Sequence, residues 1–237
     1  MSKYVLVPDS FKGTMTSREI CEIMQHAIER IDSDAKIISV PVADGGEGSV
    51  DAFLSALGGK RKAITVTGPH FEKLSSSYGI TDDGTAVIEM SACAGLPLVY
   101  GKKNPELTTT YGVGELICNA ARSGAKRIVI GLGGSATNDG GCGAVAAAGI
   151  KFYDKSGKSF IPVGRTLKDI ASIDYSGLDS ALSGVSISAM CDVDNPLLGE
   201  TGAANVFGPQ KGANVAMIAR LDAGLKHLAE VSGKAKL

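Results

Sequence analysis

At 237 residues, with a formal net charge of −1, the chain has room for one large globular domain or two small ones, and it lacks the broad basic footprint of a nucleic-acid binder. Its 44% hydrophobic and 21% charged side chains are ordinary for a soluble protein, and no apolar run approaches the roughly 20 residues that cross a bilayer, which argues against a membrane span. The opening MSKYVLVPDS has no leader layout, so a cytoplasmic protein is expected.

Tyr4–Val7 is apolar throughout, as a buried parallel strand is, and it ends at Pro8-Asp9-Ser10-Phe11-Lys12-Gly13-Thr14. The next helix opens on Thr16 and Glu19, spaced as a capping box, and puts Ile20, Ile23, Met24, Ala27, Ile28 and Ile31 on one face. Asp9 and Lys12 therefore lie between a strand's C-terminal end and a helix N-terminus, the usual ligand crevice of an open α/β sheet. Each alone also fits a turn-former or a solvated amine, and GxxxxGK[ST] is absent.

The pattern repeats. Lys36–Val42 is a second strand that delivers Asp44, Gly45, Gly46, Glu47 and Gly48 to a helix with Val50, Phe53, Leu54 and Leu57 as its apolar stripe. Glu47 can complement the helix dipole, whereas Asp44, ahead of the glycines, is better placed to face a ligand. Residues 61–100 change character: short strands at Ala63–Thr67, Ser75–Thr81 and Ala86–Glu89 predict a mixed or antiparallel second lobe. Thr108-Thr109-Thr110 then caps a helix to about Arg122, with Val113, Leu116, Ile117 and Ala120 inward.

Ile128–Ile130 is a buried strand that stops at Gly131-Leu132-Gly133-Gly134-Ser135-Ala136-Thr137-Asn138-Asp139-Gly140-Gly141 and passes into a small-residue helix. Glycines here allow positive φ and close approach, and outward backbone N–H groups attract anions; a loop that merely packs helix on sheet would look similar. After a hairpin around Asp154–Lys158, the strand Val185–Cys191 delivers Asp192, Val193, Asp194 and Asn195. A loop with Gln210 and Lys211 follows, then a helix with Val215, Ile218, Leu221, Leu225 and Leu228 inward. The five cysteines form no CxxC pair and are expected reduced; His26, His70 and His227 match no metal-ligand spacing.

Four strand ends thus combine an acid or amide with glycines or a lysine: Asp9/Lys12, Asp44, Asn138/Asp139 and Asp192/Asp194/Asn195, with Lys211 trailing. Together they argue for a phosphate-and-metal site, in which carboxylates suit Mg²⁺ and lysines and amides hold a migrating phosphoryl group.

PDSFKG, PVADGGEG, EMSACAGL, TTTYGVGEL, GLGGSATNDGGCG, CDVDNPLLGETGAA and VFGPQKGA resemble, in order and spacing, the type I glycerate kinase family from residue 4 to about 214. The resemblance implies ATP-dependent phosphorylation of D-glycerate at the 2-hydroxyl, with Mg²⁺. It also implies a two-lobed α/β protein: a parallel, Rossmann-like N-terminal lobe over residues 1–60, incomplete here, and a second α/β lobe with a mixed sheet over 61–237. Family members continue into an AGAAGGLG-like stretch and a TGEG…D…GK…P motif, and neither occurs here. The first lobe is therefore expected to lack strands; the partners expected are a second copy of the chain, in a homo-oligomer, or a separate chain that supplies the missing segment. Within the match, the catalytic candidates are Lys12, Asp44, Asp139 and Asp192. Asp192 and Asp194 are the metal candidates, and Asp9, Ser10, Gly45, Gly46, Gly133, Gly134, Ser135, Asn138, Gln210 and Lys211 the substrate- or nucleotide-binding ones. Asp44 or Asp139 would orient the attacking hydroxyl and take its proton. Asp194 and Asn195 equally fit a turn before Pro196. A non-catalytic binder of nucleotide or hydroxy-acid is the second reading. A dinucleotide-dependent dehydrogenase is disfavoured because no GxGxxG follows the first strand.

Overall fold

The computed structural model describes residues 2–11 and 14–234. The chain opens with β1 (Lys3–Leu6), α1 (Ser17–Glu29) and β2 (Lys36–Ser39), the two strands pairing in parallel from Lys3 opposite Lys36 to Leu6 opposite Ser39. The capping box forms as expected: the Glu19 amide donates to the Thr16 hydroxyl at 3.2 Å, and the Thr16 amide donates to the Glu19 carboxylate at 2.7 Å. The apolar face of α1 is only partly used. Ile20 and Cys21 are buried, while Ile23, Met24 and Ile31 stay exposed, because a two-stranded sheet offers one helix little to pack on.

α2 (Ser49–Leu57) follows, and although it precedes residue 60 it packs on the sheet of the second region. Gly79 of that sheet makes room for it, since a Cβ there would lie 2.9 Å from Val50 Cγ1. The second region comprises β3 (Lys60–Thr67), β4 (Lys73–Ile80), β5 (Thr85–Glu89), the short α3 (Ser91–Ala94), α4 (Tyr111–Arg122), β6 (Arg127–Gly131) and α5 (Cys142–Ala147). It continues through β7 (Lys151–Tyr153), β8 (Ser159–Phe160), β9 (Ser172–Asp174), β10 (Ser186–Met190), α6 (Ala203–Phe207) and α7 (Val215–Lys234).

Its main sheet has the order β10-β6-β5-β4-β3, with β10, β6 and β5 parallel and β4 and β3 antiparallel, so the mixed character anticipated for this region is present. Every residue of β5 is buried, as a strand covered on both faces requires. α4 covers one face with Val113, Leu116 and Ala120 against Val66, Ala86, Ile88 and Ile128. Tyr78 is fully buried there, and its hydroxyl donates to Asn119 Oδ1 at 2.8 Å.

A smaller sheet, β8-β7-β9, carries the hairpin at Asp154–Lys158 and shares a second core with α7, in which Leu221 and Leu225 meet Phe152, Leu167 and Ile170. Val215, expected inward, is 85% exposed at the first position of α7, where the helix has not yet reached that core. The architecture is α/β, with a parallel pair, a mixed five-stranded sheet and an antiparallel three-stranded sheet among the described residues.

Candidate functional site

Three parallel strands, β5, β6 and β10, end side by side at Glu89, Gly131 and Met190. Their connections are stitched by backbone hydrogen bonds, from Met90 to the Gly131 carbonyl at 2.9 Å and from Leu132 to the Met190 carbonyl at 3.2 Å. The loop after β2 is drawn into the same place, where the Gly133 amide donates to the Gly45 carbonyl at 3.1 Å. Glycine is required at this crossing. Gly45 has φ +87°, and a Cβ on Gly133 would sit 2.7 Å from Gly46 Cα. The glycines expected to admit a ligand are thus partly used to let two backbones pass each other.

Asp44 is half-buried at this crossing, and its Oδ1 accepts the Gly46 amide at 3.0 Å. Gly134 accepts the Leu96 amide at 2.9 Å through its carbonyl, and the Ser135 hydroxyl lies 3.0 Å from that of Thr137. Asp44, Gly45, Gly46, Gly133 and Met190 therefore meet, and Asp192 and Asp194 follow Met190 on an exposed stretch.

Farther along the same loop, Asp139 is buried to 1% exposure. Its Oδ2 accepts the Thr110 amide and hydroxyl, both at 2.8 Å, and the Gly143 amide at 3.2 Å; its Oδ1 accepts the Gly141 amide at 3.1 Å. Burial pushes its carboxyl above the usual range, opposed by these hydrogen bonds. In this placement Asp139 ties the start of α4 to the start of α5, and Asp44 is the more accessible of the two candidate bases.

Lys211 reaches back to this loop, its Nζ donating to the Thr137 carbonyl at 2.6 Å. Burial lowers its pKa to about 8, and the nearby Asp139 carboxylate partly offsets the effect. Asn138, 7% exposed, has its Nδ2 without a hydrogen-bond partner among the described residues, a buried donor in want of an acceptor. Gln210 is exposed and contributes its carbonyl to Lys103 Nζ at 3.1 Å.

Asp9 and Ser10 lie elsewhere. Asp9 is exposed and accepts the Ser10 amide at 2.7 Å. Ser10 lines a cavity of about 380 Å³ between the start of α1 and α2, shared with Thr14, Ser17, Glu47 and Asp51; neither Asp139 nor Lys211 lines it. Lys12 lies outside the described residues. Asn195, one of the paired alternatives, donates from Nδ2 to the Thr201 carbonyl at 3.0 Å, the behaviour of a turn residue.

Among the described residues no three His, Cys, Asp or Glu side chains form a group that would hold a metal. Mg²⁺ needs no such cage, because one or two carboxylates and substrate phosphates are its usual protein-site partners; the exposed Asp192 and Asp194 fit that mode. Cys142 is buried and its thiol is pushed well up, which removes it as a thiolate nucleophile. Two residues of this region stood out less in the sequence than their contacts warrant. Thr110 serves Asp139 rather than capping α4, and Glu89 leaves its strand to meet α2; the sequence signals for Glu89 were an acid ending an apolar run and its place at the head of EMSACAGL, neither of which points to α2.

The model of the Glycerate kinase family matches residues 4–236. Glycerate 2-kinase of Escherichia coli K12 is 49% identical over 235 residues, 98% of this chain and 62% of that protein. Glycerate kinase of Bacillus subtilis 168 is 47% identical over 235 residues, with coverages of 98% and 62%. The crystal structure of a Salmonella typhimurium LT2 protein whose proposed identity is glycerate kinase 2 superposes with a TM-score of 0.84 at 44% identity, covering 97% of this chain and 62% of that one. The chain spans about three fifths of the length of the curated relatives it matches.

Proposed function

Because the chain belongs to the glycerate kinase family, we propose that it serves the ATP-dependent phosphorylation of D-glycerate, at the 2-hydroxyl, in the cytoplasm. The observation that carries this reading is the crossing of the Asp44–Gly46 turn with the Gly131–Gly134 loop at the ends of three parallel strands, with the Lys211 ammonium seated on that same loop. Catalysis of phosphoryl transfer is chiefly positioning and charge stabilisation, which such a crossing of backbone amides with one cation supplies.

Lys211 has three N–H donors and commits one to Thr137, so two remain for a phosphate or the glycerate carboxylate. Asn138 Nδ2 offers a further donor to an anionic ligand. Asp44 orients the attacking hydroxyl and accepts its proton. Asp192 and Asp194 would hold Mg²⁺, which when bound neutralises phosphate charge. Asp9 and Ser10, from the loop after β1, would contribute from the other wall of a cleft between a first lobe of residues 1–60 and a second of 61–237, and Lys12 is assigned a catalytic role from its sequence alone. The packing of α2 on β4 and β5 supports a contact between the two proposed lobes at this helix.

The test is a coupled assay of the protein with ATP, Mg²⁺ and D-glycerate. Asp44→Ala and Lys211→Met are each expected to lower kcat/KM by about 100-fold or more while the protein stays folded at the assay temperature, as a thermal melt checks. Near-normal turnover in the double variant would sink these assignments. Calorimetric binding of ATP or D-glycerate with no turnover would favour the non-catalytic binder.

A further inference from the structure

α2 begins without a cap of its own. Its N-cap is Gly48, at φ +94°, which has no side chain to accept the amides of the first turn. The acceptor arrives from 39 residues farther along the chain, where Glu89 Oε1 takes the Val50 amide at 2.8 Å. Glu89 is 7% exposed and ends β5, beside Gly131, and the carbonyl at which Gly133 grips the loop after β2 belongs to Gly45.

The five-residue turn from Asp44 to Gly48 is therefore held on both sides by the same pair of strand ends: at Gly45 by the β6 loop, and just beyond it at Val50 by the β5 carboxylate. Three of those five residues are glycines; the turn is braced internally by the Gly46 amide on Asp44 Oδ1 at 3.0 Å and the Ser49 hydroxyl on the Gly46 carbonyl at 2.8 Å, and the two strand-end holds fix it against the sheet. A buried carboxylate on a helix N-terminus is favoured by the dipole but costs desolvation. A neutral side chain of the same size would fill the space without that cost, so a charge kept at this point calls for a role beyond filling it.

We propose that Glu89 is a positioning residue for the phosphoryl-transfer site: by capping α2 it fixes the Asp44–Gly48 turn against the Gly131–Gly134 loop and so holds Asp44 where it works. The proposal rests on the reading of Asp44 as a site residue.

The experiment compares Glu89→Gln, which keeps shape and loses charge, with Glu89→Ala. Hydrogen exchange of the segment containing the Gly48 and Val50 amides should accelerate about tenfold or more in Glu89→Ala, and less in Glu89→Gln, while exchange in β6 is unchanged. In the coupled assay Glu89→Gln should lower kcat about tenfold with the KM for ATP within about twofold, a loss that vanishes when Asp44→Asn is already present. Unchanged exchange over residues 44–50 in both variants overturns the proposal, as does a Glu89→Gln loss that is fully additive with Asp44→Asn. If the unsubstituted protein neither binds nor phosphorylates D-glycerate, the functional reading fails instead. The exchange comparison then still decides whether Glu89 holds the turn.

Discussion

Two parallel strand pairs in this chain are similar in sequence and opposite in burial. β1 and β2 are short and apolar, yet Leu6 is the only buried residue of β1, and β2 has none. β5 and β6 are only one residue longer each, and β5 is buried throughout. The difference is not in the strands but in their surroundings: β5 lies third in a five-stranded sheet with α4 and α2 packed on it, whereas among the described residues β1 and β2 form a two-stranded sheet with α1 packed beside it. An apolar strand is an offer of surface, and the number of layers around it decides whether the offer is taken up.

The largest test of that contrast is in the cores. Leu116, fully buried beneath the main sheet, should cost about 3–5 kcal/mol as Leu116→Ala, measured by urea unfolding. Ile31, 90% exposed beyond α1, should change stability by less than about 0.5 kcal/mol as Ile31→Ala. Comparable costs at the two sites would mean that the first unit is covered in solution and that the contrast is false.

The carboxylates repeat the comparison on a smaller scale. Asp139→Ala should destabilise by about 1.5–3 kcal/mol, because it leaves buried donors from Thr110, Gly141 and Gly143 unmet. Asp9→Ala removes, among the described residues, the hydrogen bond from the neighbouring Ser10 amide at an exposed turn, and should fall within about 0.5 kcal/mol. Thermal melts of the two variants beside the parent check this. A loss of turnover in Asp139→Ala larger than its destabilisation explains would restore a chemical role to that residue.

The same asymmetry governs how much was legible in the sequence. Strand and helix positions followed from local periodicity, so the capping box at Thr16/Glu19, the hairpin at Asp154–Lys158 and the strand before Gly131 all stand where the residues place them. Burial depends on partners far away in the chain, so the exposure of Ile23 and Val215 was not visible in their spacing. Within the site, proximity in one loop hid opposite environments. Asn138 and Asp139 are neighbours, yet one keeps an unpaired donor and the other has both carboxylate oxygens occupied. The Glu89–α2 contact spans 39 residues and involves a backbone amide, which no side-chain pattern records.

The smallest effect concerns Lys211, and it separates the site from the scaffold by sign. Its pKa of about 8 lies below the usual 10.5, with burial as the main cause. Anion binding needs the protonated amine, so affinity for ATP or D-glycerate should be level below pH 8 and decline as pH rises through it, by up to about tenfold per unit. Lys211→Arg, charged throughout, should remove that limb while keeping some binding. Folding stability should move the other way. Between about pH 8 and 10.5 the unfolded chain holds this proton and the folded chain does not, so the Lys211 contribution rises with pH. Subtracting the pH profile of Lys211→Met isolates it from the other titrating groups. Affinity and stability declining together across that window, with the difference lost in the variant, would mean that the amine is not desolvated on its loop, and its seat on Thr137 would no longer distinguish it from any exposed lysine of the first unit.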